Sequence, residues 1–256
     1  MDKRKKIQCL IGLVIMLLGI GAAALTRKAA LAQVAGYTAI FAVCLIVAIL
    51  GLVITVASLL PQAQKIGTHT LTLAAMFAAL CYVGFTFFQI KVPVGDSSTS
   101  FHLGNVFCVL AALCIGGLWG GLAGSVGMTI GDLLDPVYIT SAPKTFLLKL
   151  CIGLITGLVA HKIFQISREK ERKIPLAVAT VISTAAGMAF NVVADPVVGY
   201  FYKMYVLGMP QDAATILAKM SAVTTSINAV IAVIAATIFY LALRPALKKI
   251  NKLPQL

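Results

Sequence analysis

The sequence predicts a polytopic, all-α membrane protein of eight helices. Of 256 residues, 60% are hydrophobic and 11% charged, with a mean hydropathy of +1.00. An ordinary soluble domain is about 45–50% apolar and about 25% charged. The positive charges also sit in short clusters between long apolar runs, as in the cytoplasmic loops of membrane proteins. One span takes roughly 20 apolar residues, so the length allows about eight passes with short loops. A typical soluble enzyme, a disordered chain and a disulfide-stapled module are excluded. The net charge of +13 reads as loop charge, so no nucleic-acid partner is expected.

The first run, Ile7 to Leu25, follows Lys3, Arg4, Lys5 and Lys6. It exceeds the 7–15 residues or so of a signal-peptide core, so it is read as a retained span despite Ala22-Ala23-Ala24. The second, Val34 to Leu60, has no charge and ends at Pro61; the third, Thr70 to Ile90, stops before Lys91-Val-Pro93. Phe101 to Pro136 is long for one pass and short for two, and is interrupted by the glycine-rich stretch Gly116 to Gly121. Lys144 to Phe164 forms a further span. Pro175 opens the next, to about Tyr200, since the first turn of a helix needs no backbone N–H there. The last run, Asp212 to Leu243, is closed by Arg244-Pro245.

Charge sets the topology. Most of the 21 Lys and Arg residues fall at Lys3–Lys6, Lys65, Lys162 to Lys173, and Arg244 to Lys252, which are all placed in the cytoplasm. Phe101 to Pro136 must then leave and return to the outer face as two short passes with the glycine turn inside. Both termini are expected in the cytoplasm of a cell-membrane protein. Arg27 and Lys28, in an outer loop, are the one contrary signal.

Polar side chains within spans are expensive and by default functional. His102 and Asn105 stand at the outer start of one short helix, and Asp132 and Asp135 at the outer end of the next. Lys144 and Lys149 lie in the outer half of the following helix. Asn191 and Asp195 share a face of the seventh, and Ser221, Thr225 and Asn228 a face of the eighth, because residues three or four apart point the same way. Five helices therefore aim polar groups at one outward-opening cavity, and the inner leaflet has no equivalent cluster. Asp132, Asp135 and Asp195 roughly balance Lys144, Lys149 and His102. The expected ligand is an uncharged or zwitterionic hydrogen-bonder, with Phe101, Tyr138, Phe190 or Tyr200 available to sandwich a ring. The bland readings are a helix-terminating Asp135 before Pro136, a snorkelling Lys149, and asparagines that merely tie helices together. The six cysteines, Cys9, Cys44, Cys81, Cys108, Cys114 and Cys151, form no CxxC pair and lie in apolar runs, so no metal site is expected.

Small residues make a second pattern. Ala74 and Ala78, and Ala75 and Ala79, repeat at spacing four, as do Gly116, Gly120 and Gly124, then Gly127 and Gly131, and Gly153 and Gly157. Such stripes let helix backbones approach closely. The glycines read best as internal packing, whereas the alanines suit a partner subunit equally well.

Five elements stand in a telling order: Leu73-Ala-Ala-Met-Phe-Ala-Ala79, Phe101-His-Leu-Gly-Asn105, Gly116 to Gly121, Gly131-Asp-Leu-Leu-Asp-Pro136, and Ala142-Pro-Lys-Thr-Phe-Leu-Leu-Lys149 with Gly153 and Gly157 behind it. Through them, from about Leu71 to Leu243, the chain resembles the S component, the substrate-binding membrane subunit, of energy-coupling factor (ECF) vitamin transporters. The resemblance implies a six-helix substrate-binding domain, residues 67–256; the two N-terminal helices expected over residues 1–66 depart from the family's six-helix pattern. It also implies a vitamin or precursor bound at the outer side, without a cofactor, and partnership in the bilayer with a membrane T component and two cytoplasmic ATPases. The chain has no GxxxxGK[ST] phosphate loop of its own. Within the family it looks closest to the group handling hydroxymethylpyrimidine, pyridoxine, pantothenate or riboflavin, and the balanced charges and aromatics lean towards a small pyridine or pyrimidine ring.

Two rival classes are weighed. A stand-alone secondary transporter would need inner polar groups and an inverted repeat, which are not visible. An intramembrane aspartate protease would use Asp132 and Asp195 as a catalytic dyad, but position 129 is Thr, so the GxGD pattern is missing; no catalytic residue is assigned. The topology is open to test. Cysteines introduced at Ser98 and Gln211 should be labelled from outside intact cells and one at Glu169 should not; outside labelling at Glu169 would sink the eight-helix arrangement.

Overall fold

A computed structural model describes residues 68–94, 97–168 and 174–249, together with pieces of the N-terminal segment at 7–15, 17–19, 22, 47, 51 and 54. Residues 7–15 and 17–19 are helical. Apart from positions 47, 51 and 54, the second apolar run, Val34 to Leu60, lies outside the described residues, as do Arg27, Lys28, Glu169 and the boundary between 66 and 67.

Six helices make up the described bundle. Helix α1 (Thr68–Thr86) leads into an antiparallel hairpin, β1 (Gln89–Val94) and β2 (Ser97–His102), followed by α2 (Gly104–Ile115) and α3 (Gly117–Leu134). A single 3-10 turn, Ile139–Ser141, precedes α4 (Ala142–Gly157), which continues as a π-helical turn, Leu158–Ile163. Helices α5 (Leu176–Tyr205) and α6 (Gln211–Lys249) complete the chain's described part. Among the described residues, four helical stretches are long and apolar enough to cross a membrane: α1, 139–163, α5 and α6. The all-α membrane expectation therefore holds, with one hairpin added.

The short α2 fills the centre. Every one of its residues except Phe107 is buried, against α1, α3, α4 and α6. A helix that is apolar all round has no solvent face to present, so it ends in a core. Its link to α3 is tighter than the expected six-residue turn. Gly116 alone, at φ +89°, makes the corner, in a region only glycine adopts without penalty. Residues 117 onward are already helical.

Helices α3 and α4 touch through their backbones. A Cβ on Gly153 would fall on the backbone of Gly121, and one on Gly157 on that of Gly117. These glycines are internal packing. The alanine stripe divides: Ala74 is buried and Ala78 half-buried, the latter's carbonyl lying against Gly127, while Ala75 and Ala79 are exposed. The Ala74/Ala78 half of the stripe thus faces the bundle rather than a partner, because α3 packs on that side.

Two boundaries differ from expectation. Helix α6 runs through Arg244-Pro245 to Lys249. A proline removes one backbone donor, and the buried Arg244 holds the turn in place by donating from Nη2 to the Ile166 carbonyl at 2.8 Å. Helix α5 likewise runs through Asp195-Pro196 to Tyr205, and Pro175 sits just before its first turn in extended conformation, ψ 140°.

The hairpin replaces what read as a loop. Val94 pairs with Ser97, so the connection is two residues long, and those residues are Gly95 and Asp96. A Gly-Asp pair between alternating segments is a hairpin signal. Pro93, which cannot donate to a ladder, is tolerated because β1 has only one neighbour.

Candidate functional site

The polar groups collect at the hairpin end of the bundle, around a cavity of about 240 Å³. Its walls come from α1, the hairpin, and helices α2 to α6, with the 136–141 and 206–210 connections at its mouth. His102, Asn105, Asp132, Lys144, Asn191, Asp195 and Asn228 all line it. Asp135 does not. It stands in extended conformation at the end of α3, ion-paired to Lys91, whose ammonium also lies 5.5 Å from the Tyr138 ring centroid. That carboxylate terminates the helix and fastens β1 to the loop, which removes it from the cavity.

Asp195 is the node of the wall. Its carboxylate takes a hydrogen bond from Lys144 Nζ at 2.8 Å, one from Ser221 Oγ and one from Thr225 Oγ1 at 3.3 Å. Three helices, α4, α5 and α6, are joined at one group. The pair is largely withdrawn from solvent, with side-chain exposures of 11% for Lys144 and 18% for Asp195. Lys149, deeper on α4, donates to Asn105 Oδ1 on α2 at 2.9 Å. It does not snorkel.

His102 is corrected in place. It ends β2 rather than starting a helix, so it shares no helix face with Asn105. Its backbone N–H donates to Asn228 Oδ1 at 3.2 Å, while Asn228 Nδ2 donates to the Ser100 carbonyl at 3.0 Å. The Asn228 amide is therefore a clamp for the hairpin. Thr99 and Thr224 hydroxyls, 2.7 Å apart, add a second tie, and Ser98 donates to Tyr138 at 2.7 Å. The His102 ring meets Phe85 edge-on, with centroids 4.8 Å apart.

Three lining atoms are buried with no partner: His102 Nδ1, Asp132 Oδ2 and Asn191 Oδ1. A buried polar atom left unpaired costs about 1–3 kcal/mol. All three can accept a hydrogen bond. The cavity can thus take a molecule that presents donors to these atoms.

Of the four aromatics singled out in the sequence, only Tyr138 lines the cavity; Phe101, Phe190 and Tyr200 do not, and Phe85 joins it instead. Ser98 to Ser100, Thr145, Lys203 and Met209 were missed. The hairpin residues required reading 89–94 and 97–102 as paired strands. Lys203 lies in the last turn of α5, past the expected end of that span.

The family model described as ECF-type riboflavin transporter, S component, matches residues 65–245. No curated protein and no solved structure gives a match.

The node makes a stability prediction. Lys144→Met leaves the Asp195 charge buried without its cation, which typically costs about 3–5 kcal/mol. Denaturation followed through the single tryptophan, Trp119, should show that loss, and the double variant Lys144→Met/Asp195→Asn should recover more than half of it. Equal instability of the single and double variants would show that the pair does not hold the wall.

Proposed function

Because the chain belongs to the ECF-type riboflavin transporter S component family, a class of transport-specificity subunits rather than enzymes, we propose that it captures a ring-bearing, water-soluble vitamin or precursor for uptake. One observation carries the reading: unpaired acceptors on Asp132, Asn191 and His102 converge on a single polar cavity. The N–H edge of a heteroaromatic ring supplies the matching donors. The family's description makes riboflavin the first candidate. A second reading, a single pyridine or pyrimidine ring such as pyridoxine or hydroxymethylpyrimidine, is favoured by size. The volume of about 240 Å³ lies below the roughly 300–1,000 Å³ of pockets for drug-sized ligands. Pantothenate is a third, acyclic candidate.

In this reading the hairpin end faces outward. The opposite end carries Lys162, Arg168, Arg244, Lys248 and Lys249, which suits the cytoplasm. Asn105, Asp132, Lys144, Asn191 and Asp195 form the ligand wall, with Asn228 and His102 holding the hairpin above it. Energy comes from a T component and two ATPases. The exposed Ala75/Ala79 face of α1 docks on the T component, since two small residues one turn apart admit a close helix crossing. Residues 1–64 precede the segment that the family model matches.

Two experiments test the proposal. Titration of the purified chain with riboflavin, hydroxymethylpyrimidine, pyridoxine and pantothenate should find one binder. Asp132→Asn should weaken that binder tenfold to a hundredfold, because a hydrogen bond to a charged group contributes about 1.5–3 kcal/mol. Normal affinity in Asp132→Asn removes this carboxylate from the site. Separately, Ala75→Trp/Ala79→Trp should abolish uptake in cells and leave binding by the isolated subunit intact. Uptake that survives would place the docking face elsewhere.

A further inference from the structure

The charges around the cavity do not balance. Its lining carries three ammonium groups, on Lys144, Lys149 and Lys203, against two carboxylates, on Asp132 and Asp195. Asp195 is engaged by Lys144, and Lys149 by Asn105. Lys91–Asp135 and Lys144–Asp195 are ion pairs, and among the described residues the Lys203 ammonium takes part in neither of them. A half-buried ammonium in the last turn of α5, at the mouth of the cavity, is free to receive an anion.

The two outer lysines border one spot. A Cβ built on Gly199 would lie 3.5 Å from Lys144 Nζ and 3.9 Å from Lys203 Nζ. The Lys203 side chain therefore turns back along α5 by about one turn, which brings its ammonium and that of Lys144 to the same position beside Gly199. Asn191, with its unpaired Oδ1, lies eight residues earlier on the same helix. Eight residues rise roughly 12 Å. The Gly199 position is thus about two turns from Asn191, while Lys144 also reaches Asp195, one turn from it.

We infer that Lys144 and Lys203 form an anion subsite at the mouth of the cavity. The ligand is then bipolar, with a ring whose donors meet Asn191 and Asp132 and an arm that ends in a carboxylate or phosphate between the two lysines. This rests on the substrate-binding reading above and narrows its ligand class. A phospholipid headgroup offers the same phosphate chemistry, so the test must separate the two sources.

The experiment compares probes that differ by one anionic group: flavin mononucleotide with riboflavin, pyridoxine phosphate with pyridoxine, and pantothenate with pantothenol. Each is titrated calorimetrically into the full chain in phosphatidylcholine nanodiscs. In at least one pair the anionic member should bind tenfold to a hundredfold more tightly, the factor expected of a charge-assisted hydrogen bond. Lys203→Gln should bring that ratio towards one. Gly199→Asp, which places a carboxylate on the shared spot, should do the same, and serves if Lys203→Gln fails to fold. Equal affinities within every pair, as a deprotonated lysine would produce, overturn the inference and leave the substrate-binding reading standing. A ratio that survives both variants overturns it as well. A ratio that vanishes in phosphatidylglycerol nanodiscs assigns the lysines to lipid headgroups and also overturns it. Failure of all six probes to bind overturns the inference together with the reading it rests on.

Discussion

Asp195 sets the shape of the cavity end. A carboxylate in a bilayer-embedded wall is tolerable only with its charge met and its lone pairs filled. Lys144, Ser221 and Thr225 do this from two other helices. Joining α4, α5 and α6 at one point fixes their spacing, and that spacing keeps the space between them from collapsing into an apolar core. Pro196 follows directly in the sequence. Its missing N–H leaves the Val192 carbonyl without a helical donor, so α5 is weakest as a ladder where Asp195 ties it most firmly to its neighbours.

The opposite logic governs α3 and α4. There the Gly117, Gly121, Gly153 and Gly157 backbones press together, leaving no room for side chains or solvent. Backbone contact of this kind is rigid because any added atom must displace main chain rather than rotate away. The bundle thus combines a closed seam between α3 and α4 with an opening between α4, α5 and α6, and α2 is buried between them. Polar residues that could not be buried along the seam are collected at the opening.

How much of this was legible in the sequence follows from the range of each interaction. Helical runs and the two short helices on either side of Gly116 were readable because hydropathy acts locally. The grouping of Asn105, Asp132, Lys144, Asn191 and Asp195 was readable because a helix converts spacing into facing. What escaped was decided by contacts between distant segments. The hairpin is held to α6 by Asn228 and Thr224 and to the 136–141 loop by Tyr138, partners over 35 residues away in each case. The division of the alanine stripe depended on α3 choosing one side of α1. Asp135 looked like a companion to Asp132 at helical spacing, yet the helix ends at Leu134, and one residue beyond a helix end is enough to turn a side chain out of the cavity.

Helix α1 joins the proposed docking face to the cavity. Its exposed Ala75 and Ala79 lie either side of its middle, and Phe85, which lines the cavity and packs on His102, lies in its last turn. The distance from Ala75 to Phe85 is ten residues, roughly 15 Å of helical rise, with no glycine or proline before Gly84 to absorb a bend. Gly84 itself is no hinge. The Leu103 N–H donates to its carbonyl at 2.9 Å, and a Cβ there would meet the Phe107 ring at 2.7 Å, so β2 and α2 grip α1 at that point. A tilt imposed at the alanine face must therefore move Phe85 and drag the hairpin, while the Asn228 clamp holds the hairpin to α6. The hairpin is tied to α6 by the two hydrogen bonds of the Asn228 amide and by the Thr99–Thr224 contact, so a movement of α1 meets resistance at both attachments.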